Sequence, residues 1–381
     1  MNPHSGERLL LFVAPSAKFF LSHRAPIGSA AIADGYRVVV ACPHDGDCAQ
    51  LAAQGFMHRP IPLSRSGVSP ALEVRSLAAL YRLLRRERPT VCHLITAKPA
   101  LHGGIAARLT GTPTLTAVTG LGFLFTKQGW RARMLQRALL LAYRYGLRRA
   151  DNVFVFQNQD DRETFRRFGL LDRSDHVMLP GSGVDLDRIS PAPPPETTRP
   201  LVVMPSRMLG DKGVGEFVAA ARHLRARGSS ARFRLVGDPD PENPTSLTPA
   251  ALTEIAAEGV VDWQPFTPDI GAALAEASVV ALPSYREGFP KTLIDAAAAG
   301  RPMVATDVPG CRDAVIDGTT GLLCRARDAS SLADALEKLI NAPALRKQMG
   351  AAARQDAVAR FDIRNVVAAH LEIYRRIARD S

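Results

Sequence analysis

Two cations in the second half of the chain have the types and spacing to bind a diphosphate. Arg207 follows an apolar run that predicts a strand, and Lys212 opens the predicted helix that comes next. The two side chains can converge on one ligand, because arginine binds phosphate as a planar fork and lysine binds it as a point charge. The alternatives are ordinary solvated charges, or pairing of either cation with Asp211.

The segment 285–300 adds two carboxylates to this chemistry. It follows a second apolar run and continues into an alanine-rich helix, with Pro290 predicted at the first helical position. Gly288 lets a ligand approach the loop backbone, and the helix start offers unpaired N–H groups and the positive end of a dipole. Glu287 and Asp295 bracket this anion site. Carboxylates in that position indicate a ligand that also carries hydroxyl groups to donate.

The elements that position these residues alternate between strands and helices. Short apolar runs predict twelve strands, at 8–14, 36–42, 56–63, 90–95, 114–118, 153–156, 177–179, 201–205, 232–236, 279–282, 303–305 and 321–324. Helical stretches separate them, and three more helices, near 329–341, 343–360 and 363–379, end the chain. This alternation predicts an α/β protein with parallel sheets and helices on both faces.

A chain of 381 residues suits two domains. The proline cluster at 191–195 is typical of a linker. We therefore predict one doubly wound, Rossmann-like domain over 1–190 and a second over 191–361, with the final helix, about 362–381, packing back on the first. Two such domains would face each other across a cleft, because ligands bind beyond the carboxyl ends of parallel strands.

Composition excludes several classes of protein and of site. No run approaches the ~18 apolar residues of a membrane span, and the apolar stretch 9–14 lacks the flanking features of a signal peptide. The five cysteines form no CxxC pair, which indicates a reduced, cytosolic protein. DxD-like triplets at 45–47, 185–187 and 238–240 are close to chance. We therefore predict no metal site.

The net charge of +11 is concentrated in the first half, where residues 1–190 hold 25 Lys+Arg against 14 Asp+Glu. Within it, 88–150 has ten basic residues and no acidic one, which indicates an anionic partner. An apolar loop and a basic helical stretch, together 122–149, can lie at an anionic bilayer surface. An ordinary helix with a solvated basic face is the alternative. Nucleic acid is not expected, because the chain has no aromatic-interleaved basic motif or known binding module.

Motifs in the second half resemble the retaining GT-B glycosyltransferases of family 4. Arg207 with Lys212-Gly213, followed by Glu287-Gly-Phe-Pro and a carboxylate eight positions later, is similar to the family signature. The resemblance continues through the segments 181–185, 300–310 and 317–323. In the first half, Ser22-His-Arg24, Thr119-Gly-Leu-Gly122 and Phe156-Gln-Asn158 resemble a subgroup that extends polyprenyl-diphosphate-linked sugars, including enzymes that add N-acetylgalactosamine.

The resemblance implies a nucleotide-sugar site in the second domain and an acceptor site in the first. Arg207 and Lys212 would neutralise the donor diphosphate and Glu287 would contact the donor sugar, without a metal or cofactor. Asp295 would hold the ribose hydroxyls, at a position where the family usually has glutamate. The other donor-site residues would be Gly288, Phe289, Pro290, Lys291, Thr292, Pro265 and Phe266.

On the acceptor side the candidates are His23, Lys98, Thr119 and Gly120, with Thr119-Gly120 in a loop where many relatives carry a histidine. The implied reaction is retaining transfer of a hexose or N-acetylhexosamine from a nucleotide-sugar, with UDP expected, to a polyprenyl-diphosphate-linked or other glycan acceptor in cell-surface polysaccharide assembly. The protein would be cytoplasmic and peripheral at the inner face of the membrane. A nucleotide-sugar epimerase of the same architecture and a non-catalytic membrane-surface protein are the alternatives.

Overall fold

The computed structural model describes residues 8–63, 69–118, 130–193, 195 and 197–379, without the side chains of 131, 132 and 135. The chain forms two compact units, one of Met1–Leu179 with Asn365–Ser381 and one of Pro180–Arg364. The chain thus leaves the first unit after Leu179, whereas the sequence predicts a boundary at 190. The proline-rich segment belongs to the second unit, where Arg301 Nη2 donates to the Pro193 carbonyl at 3.2 Å.

The first unit is built on seven parallel strands in the order β3-β2-β1-β4-β5-β6-β7. The strands are β1 Arg8–Val13, β2 Tyr36–Cys42, β3 Met57–Pro60, β4 Val91–Ile95, β5 Thr114–Val118, β6 Asn152–Phe156 and β7 Asp175–Met178. The helices are α1 Ala17–His23, α2 Ala25–Ala33, α3 Cys48–Ala53, α4 Pro70–Glu87, α5 Ala97–Thr110, α6 Trp130–Leu147 and α7 Gln159–Arg167.

The side chains of β1 show why this sheet is covered on both faces. Successive side chains of a strand point to opposite faces. Leu10 and Phe12 enter one hydrophobic cluster, whereas Leu9, Leu11 and Val13 enter another. Helices cover both faces, so the strands are continuous apolar runs rather than alternating ones.

The second unit has six parallel strands in the order β10-β9-β8-β11-β12-β13. They are β8 Leu201–Pro205, β9 Arg232–Val236, β10 Asp262–Gln264, β11 Val279–Leu282, β12 Met303–Thr306 and β13 Gly321–Cys324. The helices are α8 Val214–Ala226, α9 Pro249–Ala257, α10 Ile270–Glu276, α11 Lys291–Ala298, α12 Cys311–Ala314, α13 Ala329–Ile340 and α14 Pro343–Asp356. The last helix, α15 Ile363–Arg379, belongs from 365 onward to the first unit. A 3₁₀ turn, Gly210–Lys212, precedes α8, and a π-helical turn, Ala357–Phe361, follows α14.

The strand order of the second sheet reverses between β8 and β11. In open α/β sheets such a switch point leaves a crevice outside the carboxyl ends of the two strands, where ligands bind. The loop with Arg207 and Lys212 follows β8, and the loop with Glu287 follows β11. The topology therefore puts both predicted phosphate loops at the switch point.

The predicted α/β class with parallel, Rossmann-like sheets is confirmed, and each of the twelve predicted strands has a counterpart. The strand predicted over 56–63 is shorter, because the chain turns after Ile61: the Ile61 N–H still donates to the Cys42 carbonyl at 3.1 Å, but the Leu63 N–H donates back to the Ile61 carbonyl at 2.9 Å. The strand Asp262–Gln264 is missing from the prediction. It has three residues and none is buried, so it carries no apolar run.

The last helix completes the core of the first unit from 365 onward. Tyr374 is buried there, and its hydroxyl lies 2.7 Å from His93 Nδ1. His370 donates from Nδ1 to the Val366 carbonyl at 2.7 Å and stacks on His93. Burial lowers the pKa of both histidines, that of His370 to about 3, and the buried Arg24 guanidinium lowers them further. Both imidazoles are therefore neutral in the folded protein.

Within the described ranges, no helix combines the length and apolarity that a bilayer crossing requires.

We predict that acidification destabilises the protein through these two histidines. In the unfolded chain each takes up a proton near pH 6.5, whereas the folded protein keeps them neutral to much lower pH. The unfolded state therefore binds more protons below that pH, and stability falls by roughly 1.4 kcal/mol per pH unit for each histidine. Urea unfolding between pH 7 and pH 5 measures this slope. His370→Gln should reduce the slope by one histidine's share, because His93 and His102, whose pKa burial also lowers, keep theirs, and His223→Gln, at an exposed position, should leave the slope unchanged. An unchanged slope in His370→Gln would contradict the neutral state.

Candidate active site

Five loops at the carboxyl edge of the second sheet carry the predicted donor-site residues and their partners. They follow β10, β9, β8, β11 and β12, which are neighbours in that order. Hydrogen bonds and close backbone contacts link each loop to the next, so residues far apart in sequence form one surface.

The first cation, Arg207, is held by the loop that follows β9. Its Nη1 donates to Asp240 Oδ2 at 2.5 Å, and its side chain is 52% exposed. In the same loop Asp238 Oδ1 accepts the Phe266 N–H at 3.0 Å, which ties the loop after β10 to the loop after β9. Both carboxylates of the triplet 238–240 therefore accept hydrogen bonds from groups of the protein itself. Phe266, which follows Pro265, is exposed at the edge of this surface.

The second cation, Lys212, pairs with a carboxylate across the switch point. Its Nζ donates to Glu287 Oε1, and Ser284 Oγ donates to the same oxygen at 2.7 Å. The Lys212 and Glu287 side chains are 21% and 11% exposed. A pair this well buried is costly to break, because either partner alone would leave an uncompensated charge. The two cations thus bind different carboxylates, on opposite sides of the loop that follows β8.

Two glycines let these loops touch backbone to backbone. Gly213 has φ +80°, and a Cβ built on it would lie 2.1 Å from the Pro283 carbonyl oxygen. Gly310, after β12, has φ +79°, and its Cβ would lie 2.6 Å from the Gly288 carbonyl oxygen. Only glycine fits at either position, since a side chain would meet both a disfavoured φ and a neighbouring backbone.

The helix after the Glu287 loop begins one residue later than predicted. Pro290 is its N-cap, with ψ 118°, and the first helical residue is Lys291. Thr292 Oγ1 donates to the Pro205 carbonyl at 2.8 Å and so fixes the helix start against the end of β8. The Phe289 ring packs edge-on against Phe361 in the core of the unit, so the Phe289 side chain contributes to the stability of the fold.

Asp295 is buried inside this helix. Its Oδ1 accepts a hydrogen bond from Lys291 Nζ at 2.6 Å. Burial raises the pKa of Asp295, while the charges of Lys291 and Arg188 oppose that shift. The ribose role predicted for Asp295 therefore requires a ligand hydroxyl to share this carboxylate with Lys291.

Four residues that were not predicted as site residues, Asp240, Ser284, Tyr285 and Glu216, bind one another or the predicted ones. Asp240 and Ser284 hold Arg207 and Glu287, as described above. The Tyr285 hydroxyl donates to Glu216 Oε1 at 2.7 Å, and burial together with this carboxylate raises the pKa of Tyr285 to about 12. The sequence could have indicated Asp240. The triplet 238–240 follows a predicted strand, and the carboxyl end of that strand borders the Arg207 loop.

The acceptor-side candidates lie in the first unit. His23 ends α1, where its Nδ1 is 2.6 Å from Ser22 Oγ and its ring stacks on Phe19. Lys98 Nζ donates to Glu73 Oε1 at 2.8 Å. Thr119 and Gly120 lie outside the described residues.

Chemically, the second unit offers two anchored cations beside a helix start. A diphosphate could replace Asp240 at Arg207, because that guanidinium is half exposed and a diphosphate carries about two negative charges against the single charge of the carboxylate. Both bonds to Glu287 end on Oε1, so Oε2 is the oxygen that can accept a ligand hydroxyl.

Comparison with known proteins gives concordant matches in both units. A family model described as "Glycosyl transferases group 1" matches residues 199–342, and one described as "Glycosyl transferase 4-like" matches 9–158. The chain is 27% identical to the N,N'-diacetylbacillosaminyl-diphospho-undecaprenol alpha-1,3-N-acetylgalactosaminyltransferase of Campylobacter jejuni, over 95% of this chain and 99% of that protein.

Solved structures with the same fold include two that cover nearly the whole chain. Sucrose-phosphate synthase from Thermosynechococcus elongatus superposes with a TM-score of 0.80 at 18% identity, covering 98% of this chain and all of that one (100%). Anabaena HepE in complex with UDP superposes with a TM-score of 0.74 at 18% identity, covering 97% and 100%. At these identities the likeness shows the fold alone.

We predict that Gly213→Ala unfolds the second unit far more easily than Gly228→Ala. The two glycines flank α8 and have nearly equal φ, +80° and +85°, but a Cβ at 228 meets nothing within 4 Å. The shared φ penalty should cost each variant about 1 kcal/mol. The clash with Pro283 should cost Gly213→Ala on the order of 2 kcal/mol more. Urea unfolding measures both values, and equal losses in the two variants would contradict the close contact of these loops.

Proposed function

The chain belongs to the group 1, GT4-like glycosyltransferases of GT-B fold, and we propose that it transfers a hexose or N-acetylhexosamine from a UDP-sugar to a polyprenyl-diphosphate-linked saccharide with retention of configuration. The observation that carries the proposal is the placement of Arg207 and Lys212 on one loop at the topological switch point, each oriented by its own carboxylate.

Two relatives support the choice of substrates. HepE, whose fold this chain shares, is known in complex with UDP. The Campylobacter jejuni relative is named for a diphospho-undecaprenol acceptor and for N-acetylgalactosamine transfer. We propose the same classes of donor and acceptor for this chain. Of the four acceptor-side candidates, His23 and Lys98 lie among the residues that the structure describes.

The proposed chemistry rests on charge stabilisation. When the sugar–phosphate bond breaks, negative charge develops on the leaving diphosphate, and preorganised cations lower the free energy of that transition state. Arg207 would exchange Asp240 for the diphosphate, and Lys212, kept in place by Glu287, would add the second charge. Glu287 Oε2 would accept a sugar hydroxyl, and Asp295 would accept a ribose hydroxyl.

Retention would follow from attack on the face that the leaving group vacates. The acceptor hydroxyl would form the new bond to the anomeric carbon as the diphosphate departs, and its proton would pass to a phosphate oxygen. In this scheme the diphosphate itself is the base, so the scheme requires neither a side-chain base nor a metal ion.

We expect Arg207→Ala to lower turnover by 10²–10³, by analogy with the loss of one oxyanion donor. Mass spectrometry of a synthetic polyprenyl-diphosphate saccharide, incubated with a panel of nucleotide-sugars, measures product formation. Arg222→Ala is the matched control, since Arg222 also pairs with a carboxylate, Glu258, but lies on α8 away from the loops. Turnover near the wild-type rate in Arg207→Ala would remove Arg207 from its role.

The same assay separates the alternatives. A transferase hydrolyses the donor only slowly without acceptor, whereas interconversion of the donor without acceptor would identify an epimerase. Sugar turnover of either kind would exclude a non-catalytic membrane protein. Loss of activity in chelator that only Mg²⁺ or Mn²⁺ restores would overturn the metal-independent mechanism.

We also propose that α6 binds an anionic membrane surface. Trp130, Met134, Leu141 and Tyr145 are exposed and, at 3.6 residues per turn, lie within about 60° of one another around the helix. Exposed arginines run beside this stripe, at 133, 137 and 144. Such a face suits the headgroup region, where apolar side chains enter the acyl boundary and cations meet lipid phosphates.

The opposite face of α6 is anchored, which leaves the stripe outward. Tyr143 is buried and donates from its hydroxyl to the Ala97 carbonyl at 2.8 Å. A Cβ on Gly146 would lie 2.8 Å from the Ile105 backbone nitrogen, so α5 and α6 pack in close contact. The rest of the predicted membrane segment, 122–129, lies outside the described residues.

We predict that Leu141→Glu weakens binding to anionic vesicles by roughly tenfold or more, because burying a leucine side chain contributes about 1.5–3 kcal/mol. Val74→Glu is the control, since Val74 on α4 is as exposed as Leu141, at 66%. Co-sedimentation with phosphatidylglycerol vesicles measures the effect. Binding of the wild type to these vesicles should also weaken as the salt concentration rises. Equal sedimentation of both variants, or none for the wild type at low salt, would contradict a membrane face on α6.

A further inference from the structure

Three side chains that commonly bind metals lie together in the first unit, at the edge of its sheet. Cys42 is the last residue of β2, Cys48 is the first residue of α3, and His58 lies on β3. Their ligand atoms all lie within 4.8 Å of one another. Both cysteines are buried and His58 is half-buried. In the parallel register His58 is opposite Val40, two residues before Cys42, so Cys42 and His58 project to the same face.

The spacing of these atoms fits a tetrahedral ion. Zn²⁺ takes thiolate sulfur at about 2.3 Å and imidazole nitrogen at about 2.0–2.1 Å, which puts sulfur and nitrogen roughly 3.6 Å apart around a tetrahedral centre. Cys48 Sγ and His58 Nε2 are 3.7 Å apart. Little side-chain movement is therefore needed to close the set around an ion.

We propose that Cys42, Cys48 and His58 form a binding site for a soft divalent cation of the Zn²⁺ type. Each thiol would lose its proton to solvent and give an electron pair to the ion, so two protons are released for each ion bound. His58 would bind through Nε2 with its proton on Nδ1. In the other tautomer Nε2 donates instead to the Cys42 carbonyl, 3.2 Å away.

Asp45 supplies the surroundings that such a site needs. Its backbone N–H donates to Cys48 Sγ at 3.3 Å, a bond that stabilises a thiolate ligand. Its Oδ1 lies 3.4 Å from the same sulfur and accepts the thiol proton before an ion binds, so the fourth ligand would be water. Its Oδ2 accepts the Ala17 N–H at 3.0 Å, so the site is linked to the start of α1.

The ion would hold an edge of the sheet that is otherwise weakly secured. β3 is a four-residue edge strand and α3 is a six-residue helix. Helices this short gain little from their own hydrogen bonds. Ligands from β2, α3 and β3 would join all three elements at one point. The site would therefore be structural. Its loss would lower the stability of the first unit more than it would lower the rate of sugar transfer.

Cobalt binding by the full-length protein tests the proposal. The protein is reduced with a phosphine, stripped with a chelator, dialysed and titrated with Co²⁺. We expect one equivalent to bind, with the thiolate-to-cobalt charge-transfer band and the visible bands of a tetrahedral ion, and Zn²⁺ to displace it. Zn²⁺ should also raise the thermal unfolding midpoint in proportion to the logarithm of its concentration, since it binds the folded state.

Ligand variants make the test specific. Loss of a residue that only hydrogen-bonds to a metal ligand typically lowers metal affinity 10–100-fold. Cys48→Ser and His58→Gln each remove a ligand itself and should lower the affinity for Zn²⁺ by more than that. Cys311→Ser, at a buried cysteine of the second unit, should bind as the wild type does. Absence of the thiolate band in the folded wild type, or unchanged affinity in both ligand variants, would overturn the proposal. A Cys42–Cys48 disulfide without bound zinc, in protein purified without reductant, would overturn it as well.

Discussion

The surface formed by the loops at the carboxyl edge of the second sheet depends on backbone-to-backbone contact between neighbouring loops, which glycine alone permits. Gly213 meets the Pro283 carbonyl, Gly310 meets the Gly288 carbonyl, and a Cβ on Gly237 would lie 2.0 Å from the Ser206 carbonyl oxygen. All three have positive φ. They connect the loops after β9, β8, β11 and β12 in the order of the strands beneath them. These contacts bring the loops that carry Arg207, Lys212 and Glu287 next to one another.

The charges are arranged so that neither cation is buried alone. Lys212 and Glu287 form a mostly buried pair, whose desolvation is offset by the extra bond from Ser284. Arg207 and Asp240 form a more exposed pair, which water and salt weaken. The structure therefore combines one firmly fixed cation with one that can exchange its partner. The diphosphate binding and release proposed for this site would use both.

The sequence predicted the parts of the fold that local pattern determines. Apolar runs such as Leu201–Pro205 indicated strands because parallel strands are buried on both faces. Partners distant in sequence could not be predicted this way. Arg207 and Asp240 are 33 residues apart, and Lys212 and Glu287 are 75 apart. Asp211, the local partner weighed for the cations, instead accepts the Tyr285 N–H through its backbone carbonyl. Cys42, Cys48 and His58 lack a recognisable spacing because two adjacent strands and a helix, not one loop, bring them together.

The position of the last helix has a consequence for how the chain is made. Residues 180–364 form one unbroken unit, whereas the first unit needs a helix from the end of the chain. The hydroxyl that bonds to His93 belongs to Tyr374, which is 281 residues further along. During synthesis, N-terminal domains usually fold first. Here the core around His93 stays incomplete until Tyr374 has been made, so the second unit is the first that can reach its full set of contacts. A stop codon at residue 365 would spare the second unit and leave the first without the helix that completes its core.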